Sequence, residues 1–438
     1  MSPALPPAAP PSSPHTPGRG WRIDTFRALA HRNYRLYFFG QAVSLTGTWV
    51  QSAALTWLAW ELTRQNSWTA LVSAAQVVPT VALGVYGGGL ADRWPRRPLI
   101  FATQFAFLLF ALLLTGLVGF DAVTPWGLLA VSLAVGVVNA VDTPTRLAFV
   151  CDMVGRDDLL NAIALNSLVF NVARAVGPAL GGWVDRAAQA AAPAVGLAPS
   201  PRLGAAACFL FNALSFVAVL VALACMRLPP RPRVVAARRN AGSVAEAFRH
   251  LARRPALVLL LILACATAFF GWPLISLLPA LSDHQLHAGR EGYDHMLSAV
   301  GAGALVGALL VASFGSAARQ TLLLGAGIVL EAAALLGLAT TTDVAAAVAC
   351  CALSGAGLIL FFATGQAMMQ LGAGEHNRGR VMGVWLTVLS AAQPLGHLLG
   401  GRVADAWGVP PVLLLQGAGI ALAAAAVGAA ALLKRKAV

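Results

Sequence analysis

Residues 88–97 read Gly88-Gly89-Leu90-Ala91-Asp92-Arg93-Trp94-Pro95-Arg96-Arg97, and four of the ten are charged. They close an apolar run over 67–91 and precede another over 98–119. About twenty apolar residues carry a helix across a bilayer, so each run is long enough to span one. The charged stretch between them is then a hairpin turning at a membrane surface.

Working outward, cuts at charge clusters, Pro and Gly predict twelve helical spans. Six lie near 36–61, 67–91, 98–119, 126–150, 159–184 and 203–226, and six near 256–281, 293–317, 320–340, 343–371, 379–405 and 409–433. The expected fold is an all-α membrane protein with five segments: a Pro-rich tail and pre-helix segment (1–35), a six-helix bundle (36–226), a basic linker (227–255), a second six-helix bundle (256–433) and a short basic tail (434–438). The first twenty residues, rich in Pro and Ser, lack the apolar core of a signal peptide and are expected to be disordered.

Composition supports this reading. Apolar residues make up 58% and charged residues 11%, whereas soluble domains are about a quarter charged. Lipid must solvate such a chain. The net charge of +13 suggests nucleic acid in a soluble protein. Here the basic residues form short clusters between apolar runs, the pattern of topology signals and lipid headgroup contacts. Six cysteines, at 151, 208, 225, 265, 350 and 351, form no CxxC pair, which argues against a zinc site or a disulfide framework. Ser/His/Asp sets and Gly-rich phosphate loops are also missing, so neither an enzyme nor a cofactor is expected.

Basic residues also set the orientation. With the N-terminus inside, 24 of the 30 Lys and Arg fall on the inner side, five (Arg64, Arg186, Arg202, Arg290, Arg402) fall outside, and Arg174 lies within a span. Both termini and the linker are therefore expected in the cytoplasm of a bacterial inner membrane.

The halves echo each other. Residues Phe26–Arg32 and Phe248–Arg254 agree at five of seven positions, and Gly177-x3-Gly181-Gly182 recurs as Gly396-x3-Gly400-Gly401. Matching elements that enter from the same side imply a parallel repeat about an axis along the membrane normal, with a cavity between halves.

The stretch over 88–97 resembles the G-x-L-A-D-R-x-G-R-R signature of the major facilitator superfamily. That family's twelve-helix plan fits residues 26–433. Asn33-Tyr34-Arg35-Leu36 and Thr48-Trp49 look like the bacterial exporters grouped with the enterobactin exporter. Ala173 to Gly182 is similar to the G-x-x-x-G-P-x-x-G-G motif of drug–proton antiporters, with Ala173 in place of the first glycine. The resemblance implies proton-coupled efflux of a small organic molecule by a monomer, with import or uniport on the same fold as the alternative. It also implies a conformational lock. In that lock Gly88 permits close helix approach, Asp92 faces the N-terminus of helix 11, and Arg93 and Arg97 reach acids at the end of helix 4. Gly177, Pro178, Gly181 and Gly182 would pack the inner gate. Pro95 departs from the signature, and the matching loop over 313–319 has no acid.

Polar residues inside the spans are costly and mark function. On helix 1, Gln41, Ser44, Thr48 and Gln51 recur at helical spacing and form one stripe, expected to face water or substrate. Gln76, Asn139, Asn171, Arg174, Gln366, Gln370 and Gln393 are candidates to extend it. Trp49, Phe269, Phe270 and Trp272 are candidate apolar walls, with interfacial anchoring as the competing role for the tryptophans. Arg174 either binds an anionic or carbonyl-bearing substrate or bonds carbonyls freed by Pro178. Asp142, Glu331 and His397 are the candidate proton carriers. Asp142 has a competing structural role as partner of Arg146 or Arg93, Glu331 is expected protonated against a neighbouring helix, and His397 has a competing packing role.

Alkaline phosphatase fused after Met226 or at Val438 is expected to be inactive, reporting cytoplasmic ends. Activity at either fusion overturns the orientation.

Overall fold

The computed structural model describes residues 24–155, 157–227, 249, 251, 253–374 and 377–436. Most of the predicted tail and linker, and the end of the 434–438 tail, lie outside these residues. So do Phe248, His250 and Ala252 of the second repeat copy.

The chain forms α1 (Arg32–Thr63), α2 (Asn66–Arg93), α3 (Arg96–Gly119), α4 (Pro125–Val154), α5 (Leu159–Ala191), α6 (Pro201–Cys225), α7 (Pro255–Gln285), α8 (Gly289–Phe314), α9 (Gln320–Thr340), α10 (Val344–Ala373), α11 (Arg378–Trp407) and α12 (Val409–Lys436). Eleven described helices are long and apolar enough to cross a membrane; α1 falls below that hydropathy because of its polar stripe, yet it packs inside the bundle against α5 and α6. The largest boundary difference from expectation is at α5, which runs on to Ala191. Helix α7 is broken at Trp272 and Pro273 and ends in a π-helical turn over Leu281–Gln285.

Local chemistry sets several helix starts. Thr124, Ser200 and Asp343 each accept a hydrogen bond from the amide three residues on, at the heads of α4, α6 and α10. Pro125 and Pro201 follow two of these caps, where the missing amide hydrogen costs nothing.

Glycine decides how the helices cross. A side chain at Gly136 on α4 would strike the Ala75 carbonyl of α2 at 2.7 Å, and one at Gly87 would strike the Ala140 backbone of α4. Gly307 and Gly355 make the equivalent crossing of α8 with α10, against Ala356 and Val300. Gly136 and Gly355 lie 219 positions apart, as do Gly177 and Gly396. The latter two rest on Trp49 of α1 and on Phe269 and Pro273 of α7. The repeat is thus a repeat of contacts: α2–α4 answers α8–α10, α3–α6 answers α9–α12, and α1–α5 answers α7–α11.

Two seams join the halves, α5 with α8 and α2 with α11. An even number of spans brings α1's start and α12's finish to one side, the tail end; the other side is the far end. Both seams close at the far end. Gly401 rests on Asn66 and Ala70, each 2.7 Å from a side chain placed there, and Gly182 rests on Asp294, likewise at 2.7 Å. Of the motif glycines, Gly182 therefore packs the far end of the α5–α8 seam, while Gly181 lies against Val50 of α1. At the tail end Gly84, Gly88, Gly379 and Gly383 have no neighbour among the described residues within 4 Å of a side chain placed there. Close approach in this state belongs to Gly87, not to Gly88.

Gly87→Val is expected to lower the melting temperature or abolish accumulation, because overpacking costs about 1–3 kcal/mol or more. Gly88→Val should melt like the wild type. Equal melting of the two variants overturns this assignment of the crossing.

Candidate functional site

Of the stripe on α1, Gln41 and Ser44 are buried, Gln51 is half-buried and Thr48 is exposed. A cavity of about 300 Å³ lies beside the stripe, lined by Ser44, Thr48 and Gln51 of α1, Gln76 of α2 and Asn139 of α4. Trp49, Phe107, Phe170 and Phe216 supply flat apolar walls, with Trp49 and Phe170 edge to face at 5.7 Å. The volume is at the small end of ligand sites, near 300 Å³. A larger depression of about 880 Å³ opens at the far end, lined by Trp60, Arg64, His284, Arg402 and Asp405 among others. It lies at the loops and shares no residue with the stripe.

Several lining groups are absent from the sequence-based set. Ser52 of α1, Gln104 of α3, Thr143 and Arg146 of α4 and Asn212 of α6 complete the polar lining. Asn212 donates to Gln51 at 2.8 Å. Gln104 and Asn212 were findable by the rule already applied, since each is an amide inside an apolar run.

The charge at the cavity belongs to one pair. Asp142 is fully buried and accepts from Thr103 at 2.6 Å and Gln104 at 2.9 Å. Its other oxygen meets Arg146 Nε at 2.7 Å. Arg146 also donates to Gln41 at 2.7 Å. So Gln41 acts on the cavity through Arg146, which lines it, and of the two partners expected for Asp142 the structure supplies Arg146.

The remaining predicted residues are placed elsewhere. Arg174 is buried, donates to Asn171 at 3.2 Å and packs beside Gly301 of α8. Its bond is to Asn171 and not to a carbonyl near Pro178, and neither residue lines the cavity. Gln366 is exposed, Gln393 half-buried, and both are away from it. Phe269, Phe270 and Trp272 also stay outside it; Trp272 packs on Phe362. Glu331 is fully buried on α9, beside Gly271 and facing Ser354 of α10. His397 shares a 2.9 Å hydrogen bond with Ser276 of α7.

At the tail end Asp92 and Arg93 are exposed. Arg97 donates to the carbonyls of Leu223 and Ala224 on α6 at 2.9 and 3.1 Å. The acid at the end of α4 is reached by Arg96, which pairs with Asp152 at 2.7 Å. Arg97 is instead held by the carbonyls at the end of α6, while Arg96 also donates to the Ala148 carbonyl of α4 at 3.1 Å.

At the far end, the α2–α11 seam is capped by Asp405, whose oxygens accept from the amides of Asn66 at 2.5 Å and Ser67 at 3.1 Å. A carboxylate at a helix N-terminus is favourable. Asp283 joins α7 to α1, accepting from Trp60 at 3.1 Å and pairing with Arg64. Arg290 of α8 pairs with Asp185 of α5 at 3.2 Å across the other seam.

A family described as transmembrane secretion effector matches residues 23–438. The macrolide efflux protein A of Streptococcus pyogenes is 22% identical over 395 residues, covering 88% of this chain and 94% of that protein. The enterobactin exporter EntS of Shigella flexneri is 25% identical, covering 87% and 88%. The staphyloferrin A transporter of Staphylococcus aureus is 28% identical over 189 residues, 43% of this chain and 44% of that protein. Among solved structures, a bacterial homolog of the human lysosomal transporter Spinster superposes with a TM-score of 0.69 at 16% identity, covering 92% and 97%. The nucleoside transporter NupG superposes with a TM-score of 0.65 at 14% identity, covering 93% and 99%.

Asp142→Asn leaves Arg146 without its buried partner, a loss of about 3–5 kcal/mol for a broken buried pair. A clear drop in melting temperature in detergent is expected, with much of it recovered in Asp142→Asn/Arg146→Gln. Wild-type melting of the single variant overturns the structural weight of this pair.

Proposed function

The chain belongs to the transmembrane-secretion-effector family of the major facilitator superfamily, a family of transporters and not enzymes, and we propose that it exports small organic molecules by proton-driven alternating access. The observation that carries this reading is the pairing of a polar and aromatic cavity with far-end seams that are closed and tail-end glycines that have no described neighbour. Under the orientation set by the basic residues, the tail end faces the cytoplasm of the bacterial inner membrane, and this state loads substrate from inside. Each chain contains both halves and works as a monomer.

Amides and hydroxyls on aromatic walls suit a molecule with several hydrogen-bonding groups and a flat apolar surface. The ion pair of Asp142 and Arg146 leaves the lining without net charge. The molecules in the relatives' names, macrolide, enterobactin and staphyloferrin A, are therefore the first to try.

Of the three titratable candidates, Asp142 is the one whose partners line the cavity. A proton on Asp142 breaks the pair with Arg146 and frees Gln41 and Gln104 to turn. The lining then differs between protonation states, which is how proton and substrate exclude each other from one site. Glu331 and His397 are held in helix packing and rank behind it. In the alternate state Gly88 and Asp92 of α2 close on the bare start of α11, where Gly379 and Gly383 leave room and the helix N-terminus attracts the carboxylate.

The test uses purified protein in proteoliposomes with an imposed pH gradient, and erythromycin, enterobactin and staphyloferrin A as trial substrates. Substrate-dependent proton movement in the wild type, lost in Asp142→Asn and strongly reduced in Asp92→Asn, is the expected result. Substrate exchange that ignores the pH step removes the proton coupling. Full coupled flux in Asp142→Asn removes the carrier assignment.

A further inference from the structure

The α5–α8 seam carries a charged cluster for which neither the cavity nor the tail-end lock has a use. Asp185 and Asp294 are 6% and 4% exposed, and between them stands one guanidinium, Arg290. Arg290 reaches Asp185 at 3.2 Å. Its Nε has no hydrogen-bond partner and lies 3.8 Å from Asp294, beyond bonding distance. Asp294 accepts no hydrogen bond among the described residues. The charges around it are Arg290 and the exposed Glu291 on its own helix, with Asp185 and Arg186 from α5. Arg186 and Glu291 face each other at 3.9 Å on the exposed rim, so they offset one another. Tyr293 is turned to the Ala53 carbonyl of α1, and His295 is exposed. Cys208 of α6 and Glu61 of α1 face Arg290. The far end of the seam thus holds two buried carboxylates with one guanidinium between them, and Arg174 lies about three turns away along α5.

We propose that Asp294, with Asp185 and Arg290, is a proton-binding site that holds the far end closed. Two observations carry it: a carboxylate more than nine-tenths buried with no donor, and its position on the surface that must part. Gly182 of α5 leaves the space that Asp294 Oδ2 fills, 2.7 Å from a side chain placed there. Parting α5 from α8 therefore exposes Asp294 to water. A buried surplus carboxylate is costly; adding a proton from the solvent at that end converts it to a neutral O–H and removes the cost. Closure and proton uptake are then linked, and closure weakens as pH rises. The proposal rests on the alternating-access reading and not on the direction of transport or the identity of the substrate.

The experiment needs no substrate. Cys208 is buried in this seam, 3.6 Å from Arg290, and reports its opening. N-ethylmaleimide labelling of the purified full chain is followed at Cys208 by peptide mass spectrometry from pH 5.5 to 8. Exposed Cys151 in the same protein corrects for thiol ionisation. One linked proton changes an opening equilibrium by up to about tenfold per pH unit. The corrected Cys208 rate is expected to rise several-fold with pH in the wild type and in His295→Gln. It should stay low and flat in Asp294→Asn and in Asp185→Asn, either of which removes the surplus charge. A flat wild type, or a wild-type pH dependence in Asp294→Asn or Asp185→Asn, overturns the proposal. Neither result touches the exporter reading, which fails on the vesicle assay alone.

Discussion

Helices in lipid gain nothing from burying apolar side chains against each other, since the tails around them are equally apolar. What holds them is contact close enough for dispersion and polar groups to act, and only small residues permit it. Several of the main crossings in this chain obey that constraint. Gly87 and Gly136 bring α2 onto α4, Gly307 and Gly355 bring α8 onto α10, and Gly182 and Gly401 bring the two halves together. The same constraint explains how the halves can part. Faces carrying glycine with nothing opposite, at Gly88 and Gly383, are contacts waiting for a partner in another arrangement.

Much of this was legible in the sequence. Apolar runs of bilayer length fix the number and order of helices, and Arg174 and the stripe on α1 stand out because charge and amide groups are rare there. The paired Gly motifs announced the repeat. What periodicity does not carry is the neighbour of each face. Gly87, Gly88 and Gly89 are equivalent in sequence, and only the position of Ala140 singles out the first. Arg96, Arg93 and Arg97 form one basic cluster, and the location of Asp152 and of the end of α6 decides which of them pairs. The cavity takes in Gln104 and Asn212 from two further helices and leaves out Gln366 and Gln393.

Two acids are satisfied locally, Asp142 inside the bundle and the exposed Asp405 at its far end. Asp142 has Arg146, Thr103 and Gln104 within hydrogen-bonding distance. Asp405 takes two backbone amides. These groups sit where their partners cannot leave without the helix moving, so they report and stabilise a particular arrangement. Two buried groups depart from that pattern, Arg174 with a single bond to Asn171 and Asp294 with none among the described residues, and both lie at the α5–α8 seam.

The two seams, though related by the repeat, are closed by different chemistry. At α2–α11 the latch is a carboxylate on a helix N-terminus, whose positive end is built from backbone and is present at every pH. At α5–α8 the latch is a set of side chains whose charges do not balance, so its strength depends on how many protons it holds. Equivalent positions have therefore diverged: Gly181-Gly182-Trp183-Val184-Asp185 places its acid against Arg290, whereas Gly400-Gly401-Arg402-Val403-Ala404-Asp405 places its acid one residue later, at the head of α2. A one-residue shift rotates a helical side chain by about 100°, enough to move the acid from a cation to a backbone terminus. Two seams that must open together then respond differently to pH, and the one that responds sets the pH dependence of the opening as a whole.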